Sequence, residues 1–230
     1  MTDVSPSPLR PLAVIAAISV VLVIAGGLAL RSSSFDLSPV QALNGLHRGL
    51  IGTIGDGVYK LVGPLPAIIG TVIITVIIAA VRRDLAAAST FAITVAATWL
   101  PAAFIKIMVA RPRPPQSLLP HPPHTQPDAS YPSGHTVFLI ALAIAAVLIT
   151  RSRAVRRIWV IAGIAGTLLV AFCVLTDGLH YPTDVIASAI WGGGVAPLVG
   201  ALWSRAVVPR IRLFRPNGKG PTSSTQTPAR

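Results

Sequence analysis

The chain has 230 residues, 53% hydrophobic and 11% charged, with a formal net charge of +12 and a mean hydropathy of +0.71. A soluble domain carries about 25% charged residues, so this composition excludes an ordinary water-soluble globule and points to an integral membrane protein. All seven acidic residues are aspartates. Each one beside an apolar run therefore needs a reason.

Residues 1–10 read as a short cytoplasmic N-terminus. Crossing a bilayer as a helix takes roughly 20 mostly apolar residues, and the first such run is 11–30. It is followed by Arg31-Ser32-Ser33 with no A-x-A site, so it reads as an uncleaved anchor, not a signal peptide. In the next loop Leu43, Leu46, Leu50, Ile54 and Val58 recur every three to four residues. That spacing predicts one amphipathic helix lying at the membrane interface, although glycines 45, 49, 52, 55 and 57 weaken helix formation.

Apolar runs follow at 65–81 and 85–109. The stretch 110–132 then carries seven prolines after Arg113, which predicts polyproline II and turns, with no regular helix or strand. Irregular backbone belongs outside the hydrocarbon. His121 and His124 stand here as HPPH and read as exposed loop histidines, since no further ligand pattern accompanies them. Three more runs come at 134–150, where Ser133 can serve as N-cap, at 159–175 and at 183–207. The single cysteine, Cys173, lies in one of them and reads as a buried, inert thiol.

Six runs predict an all-α integral membrane six-helix bundle over 11–208. Residues 209–230 form a basic cytoplasmic tail, polar and disordered from about Pro216. With six spans, Arg10, Arg82, Arg83, Arg151, Arg153, Arg156, Arg157 and the tail from Arg205 fall on one side. That side holds 13 of the 19 Lys and Arg. The positive-inside rule makes both termini cytoplasmic. This asymmetry accounts for much of the net charge, so no nucleic-acid partner is implied. The basic tail can touch anionic lipid.

Three segments carry polar groups that the membrane does not need: 106-KIMVARPRP-114, 131-YPSGHT-136 and 173-CVLTDGLHYPTD-184. The span count alone sends them to one membrane face, here the extracytoplasmic one. Lys106 and Arg113 supply cations for an anion. Ser133-Gly134-His135 opens a helix, whose free N–H groups and dipole favour a phosphate. Gly134 lets an anion approach the backbone. His180 and Asp184, four residues apart, share a helical face. The carboxylate fixes one imidazole nitrogen and leaves the other free as nucleophile or base. Together these groups read as a phosphoryl-transfer site. No carboxylate cluster suggests a metal cage there, and no cofactor is implied. Charged groups in spans can instead mark a transport path, but here the span centres carry none.

The order K-x6-RP, PSGH and H-x3-D, here Lys106…Arg113-Pro114, Pro132-Ser133-Gly134-His135 and His180…Asp184, resembles the type 2 phosphatidic acid phosphatase superfamily, the lipid phosphate phosphatases. The resemblance covers roughly residues 64–203. It implies a six-helix bundle that hydrolyses lipid phosphomonoesters or diphosphates without metal. Phosphatidic acid, phosphatidylglycerol phosphate and polyprenyl diphosphate are the candidate substrates. It further implies that His180 forms a phosphohistidine, Asp184 orients it, and His135 protonates the leaving oxygen. Lys106, Arg113, Ser133 and Gly134 would bind phosphate.

One departure stands out. The family's third motif usually begins Ser-Arg, and here those positions are Cys173-Val174. Losing a guanidinium there costs ~2–4 kcal/mol of phosphoryl stabilisation by analogy with other electrostatic donors. Asp177 is expected to add a negative charge near the site, and Arg111 is a possible substitute for the missing cation. A weakly active or inactive member that only binds lipid phosphates is the alternative.

Overall fold

The computed structural model describes residues 9–123 and 126–214. The expectations for residues 1–8, for His124 and for the tail from 215 onward lie outside the described residues. Among the described residues there are eight α-helices: α1 Leu9–Leu30, α2 Leu37–Asn44, α3 Gly49–Leu61, α4 Pro64–Arg82, α5 Leu85–Val109, α6 Gly134–Leu148, α7 Arg153–Thr176 and α8 Pro182–Leu202. No strand occurs among the described residues.

Five helices, α1, α4, α5, α7 and α8, are long and apolar enough to cross a membrane, the mark of an integral membrane protein. Their outward faces confirm the solvent they suit. Ile68, Ile69, Val72, Ile73, Val76 and Ile77 of α4 are all exposed, an arrangement that fits lipid and not water. The remaining run, 134–150, is the exception. α6 has 15 residues, about 22 Å at 1.5 Å per residue, short of the ~30 Å hydrocarbon core. It packs against α5, α7 and α8 in the middle of the bundle.

Helices in lipid gain little from mutual hydrophobicity, so small residues set their approach. α1 buries Ala16, Ser19, Val23 and Gly27 as one stripe against α8. Gly27 also makes room for Tyr131, whose hydroxyl donates to Val23 O at 2.7 Å. A Cβ on Gly27 would stand 2.5 Å from the Tyr131 ring and 2.8 Å from Val109. Inside the spans polar groups pair locally, as Thr90 and Thr94 do by donating to the carbonyls four residues back.

The single interfacial helix expected from Leu43 to Val58 is instead two, α2 and α3. They break between Gly45 and Gly49, where Gly49 has a positive φ of 50°, a conformation glycine adopts without steric cost. Two of the glycines that argued against a helix form its packing face: Gly52 and Gly55 are the buried residues of α3, while Leu50, Ile51 and Ile54 point outward. The proline-rich stretch is irregular as expected, apart from one 3₁₀ turn at Gln116–Leu118. It is nonetheless tied down. Asn44 donates to His121 O and Thr176 O and accepts from His121 N, and Ser130 N donates to Arg111 O.

Gly27→Val is expected to lower the unfolding free energy by about 1–3 kcal/mol through overpacking against Tyr131. Thermal unfolding in detergent measures it, and an unchanged melting temperature would show that the α1–Tyr131 contact can relax freely.

Candidate active site

The end of α5, the start of α6 and the link between α7 and α8 meet at one end of the bundle. There they enclose a cavity of about 460 Å³. Lys106, Arg113, Gly134, His135 and His180 all line it. Five of the seven residues expected from sequence thus face one space, a sixth stands directly behind it, and the seventh is packed beneath.

The sixth is Asp184, fully buried. Its Oδ2 lies 3.4 Å from His180 Nδ1 and accepts from Tyr181 N at 2.9 Å. The same carboxylate that faces the histidine therefore also closes the first turn of α8. Its Oδ1 accepts from Arg111 at 2.7 Å. His180 Nε2 faces Arg113, 3.4 Å away. A guanidinium can only donate, so this nitrogen carries the lone pair and the proton sits on Nδ1. His180 is 1% exposed. Burial, opposed by its bond to Asp184 and aided by Arg113 and Lys106, pushes its pKa down to about 4. The imidazole is neutral at pH 7.

The seventh, Ser133, does not line the cavity. It is fully buried, and its hydroxyl accepts from Thr136 at 3.1 Å and makes no cap bond to the helix backbone. Gly134 does face the cavity; a Cβ there would lie 3.7 Å from Trp99 Nε1.

The two cations are held by a residue that gave no signal in the sequence beyond its scarcity. Asp128, in the proline-rich stretch, accepts from Lys106 Nζ at 2.7 Å and from the Arg113 guanidinium. Lys106 also donates to Ala129 O, and Arg113 to Leu179 O. Burial opposes the charge on Asp128, yet Lys106 and Arg113 hold its pKa at about 2. Tyr59 of α3 is the other unforeseen member. Its ring lies 4.2 Å from that of His135, and its carbonyl oxygen is 3.2 Å from His135 Nε2.

The family model of the PAP2 superfamily matches residues 85–207. The chain belongs to the PAP2 superfamily. Comparison with curated proteins and with solved structures returned no match. Superfamily members are phosphatases, and membership supports a phosphoric-ester hydrolase. The apolar helices point to a membrane-associated substrate. The match takes in all three motifs, α5 to α8, and leaves α1 to α4 outside, so Tyr59 and Asp36 come from beyond it.

Two expectations tied to the PAP2 departure need correction. Arg111 does not replace the missing third-motif arginine. It is 1% exposed, absent from the cavity wall, and committed to Asp36 at 2.9 Å as well as to Asp184. Its guanidinium also lies 3.9 Å above the Tyr181 ring. Nor does Asp177 face the cavity. It turns toward His47, 3.2 Å away, and burial, with the nearby Asp56 charge, pushes its pKa up to about 7. Val174 is fully buried and outside the cavity wall, so the cations that line the cavity are Lys106 and Arg113.

Arg111→Ala strips the counter-charge from two buried carboxylates and is expected to destabilise by about 3–5 kcal/mol. Arg111→Lys should not restore the loss, because one ammonium cannot reproduce the forked bonds. Thermal unfolding of both variants in detergent tests this; a wild-type melting temperature for Arg111→Ala would show that the clamp contributes nothing.

Proposed function

We propose that the protein is a multi-pass phosphatase of the cell membrane. It hydrolyses a phosphomonoester or diphosphate of a lipid through a phosphohistidine on His180, with no metal in the chemical step. The observation that carries this reading is Asp128: beside His180, an anionic group is already gripped by Lys106 and Arg113 together. A substrate phosphate takes the place of that carboxylate, with the Gly134 amide at the helix start as a further donor. Ser133 contributes only if a phosphate oxygen seats deep against that helix start.

The lipid part of the reading rests on the rest of the cavity. Away from the cations it is walled by Val62, Pro64, Ile68, Trp99 and Leu100. Ile68, Trp99 and Leu100 also line a second, apolar groove that runs on between α4 and α5 past Val72, Val76 and Val95. An acyl or prenyl chain fits along these two helices with its phosphate at His180.

In the reaction, the Nε2 lone pair attacks phosphorus and the P–O bond to the lipid breaks. His135, protonated beside the incoming phosphate dianion, gives its proton to the departing oxygen. Asp184 stabilises the phosphoimidazolium through Nδ1–H. Water then attacks the phosphohistidine and returns a proton to His135. The P–N bond breaks, and inorganic phosphate leaves with His180 neutral again. Arg82, Arg83, Arg151, Arg153 and Arg205 lie at the opposite ends of the helices from His180. By the positive-inside rule, the termini are cytoplasmic, the chain spans six times with α6 as the short span, and the site faces outward.

Phosphate release from phosphatidic acid, phosphatidylglycerol phosphate and polyprenyl diphosphate, with and without EDTA, tests the reading. Metal-independent turnover abolished by His180→Ala is expected. Because a nucleophilic histidine must be neutral and the pKa of His180 is depressed to about 4, the acid limb of kcat/KM should fall near that pH, not near ~6.5, after correction for substrate ionisation. Turnover that survives His180→Ala sinks the nucleophile. Lipid binding with no release from any substrate would favour the alternative, a binding member weakened by Val174.

A second outcome concerns Asp128. Asp128→Asn removes the competing charge, so KM should fall about 10-fold, the equivalent of about 1.4 kcal/mol, with kcat little changed. A raised KM would make Asp128 an organiser of the cations and not a competitor for them.

A further inference from the structure

A second group of ligand-type side chains lies at the same end of the bundle but outside the cavity. His47 sits in the turn between α2 and α3, Asp56 within α3, and Asp177 immediately after α7. His47 Nδ1 is 3.2 Å from Asp177 Oδ1, and His47 Nε2 is 3.6 Å from Asp56 Oδ1. One ligand atom from each residue lies within 4.8 Å of the other two.

The pair at the centre is close but lacks hydrogen-bond geometry. Asp177 is 2% exposed, and both its Oδ1 and His47 Nδ1 are buried without a hydrogen-bond partner. A buried carboxylate oxygen and an imidazole nitrogen 3.2 Å apart without hydrogen-bond geometry must share a proton or a cation between them, and an ion can take both as ligands. The backbone is shaped to allow it. A Cβ on Gly55 would stand 2.7 Å from Asp177 Oδ1, so a larger residue there would push that carboxylate aside. Glycine inside a helix costs roughly 1 kcal/mol against alanine, and Gly55 accepts that cost at the position facing the cluster.

We infer that His47, Asp56 and Asp177 form a divalent-cation site, and that its one-imidazole, two-carboxylate set suits Zn²⁺. Zinc bonds of about 2.0–2.2 Å in tetrahedral geometry put neighbouring ligand atoms about 3.3 Å apart, matching the His47–Asp177 separation. Asp56 is exposed and completes the set by a side-chain rotation. A fourth position remains for water. The site's consequence is structural. It joins α3 to the end of α7, three residues before His180, and α3 carries Tyr59 onto His135. A bound ion braces the roof over the cavity while taking no part in phosphoryl transfer.

The test is Zn²⁺ binding to the chelator-stripped, full-length protein in detergent, read by competition with a chromophoric chelator and by the visible spectrum of Co²⁺. One equivalent of metal and a melting temperature that rises with free Zn²⁺ are expected. Both should be lost in His47→Ala. Asp56→Asn, a change at an exposed side chain that leaves the fold intact, should weaken binding by about 10-fold or more. Absence of stoichiometric Zn²⁺ binding to folded wild type overturns the site. Undiminished binding in Asp56→Asn or in His47→Ala overturns it equally.

Discussion

The buried guanidinium of Arg111 between Asp36 and Asp184 is the interaction on which the rest of the site depends. It joins the α1–α2 link, the segment after α5 and the first turn of α8. One cation faces two carboxylates there, so the excess negative charge needs further donors. The start of α8 supplies them: Thr183 N and its hydroxyl donate to Asp36, and Tyr181 N to Asp184, where the helix dipole favours an anion. With Asp184 fixed in this way its second oxygen is presented to His180, which sets the tautomer and leaves Nε2 toward the cavity. The tautomer of the histidine is thus set behind it, by groups outside the cavity wall.

Acidic residues are scarce, and among the described residues each of the six has a defined partner. Asp84 caps α5 through Ala87 N. Asp36 and Asp184 clamp Arg111, Asp128 holds Lys106 and Arg113 together, and Asp56 and Asp177 flank His47. In a chain whose outer surface is apolar, an unpaired carboxylate has no inexpensive environment. The cavity end is accordingly a small polar network enclosed by helices, with the lipid-facing surfaces left to aliphatic side chains.

Most of the architecture was legible in the chain itself. Hydropathy marked five spans, four of them to within a few residues and α7 with its start six residues late, and in the structure the three polar motifs meet at one end. The run at 134–150 was legible as apolar and as the shortest; its helix is shorter still, because it ends at Leu148 while hydropathy continues to Thr150. The α2–α3 region misled because a leucine period reports an apolar stripe and is blind to a break. Gly52 and Gly55 inside α3 are contacts with His47 and Asp177, and a contact partner is not a property of a local window.

The sequence alone determined what depends on neighbours along the chain: apolar length, charge asymmetry, the proline-rich irregular stretch, and motifs whose residues lie a few positions apart. His180 and Asp184 belong to that class, as a pair on one helical face. The tertiary structure alone decided which distant groups face one another. Arg111 meets Asp36 across 75 residues and Asp184 across 73, which turned a candidate phosphate ligand into a clamp. Asp128 reached both cations, Tyr59 reached His135, and Asp177 turned away from the cavity. The physical reason is the same in each case. A buried charge takes the partner that desolvates with it most favourably, and which partner is within reach is settled only when the helices have packed.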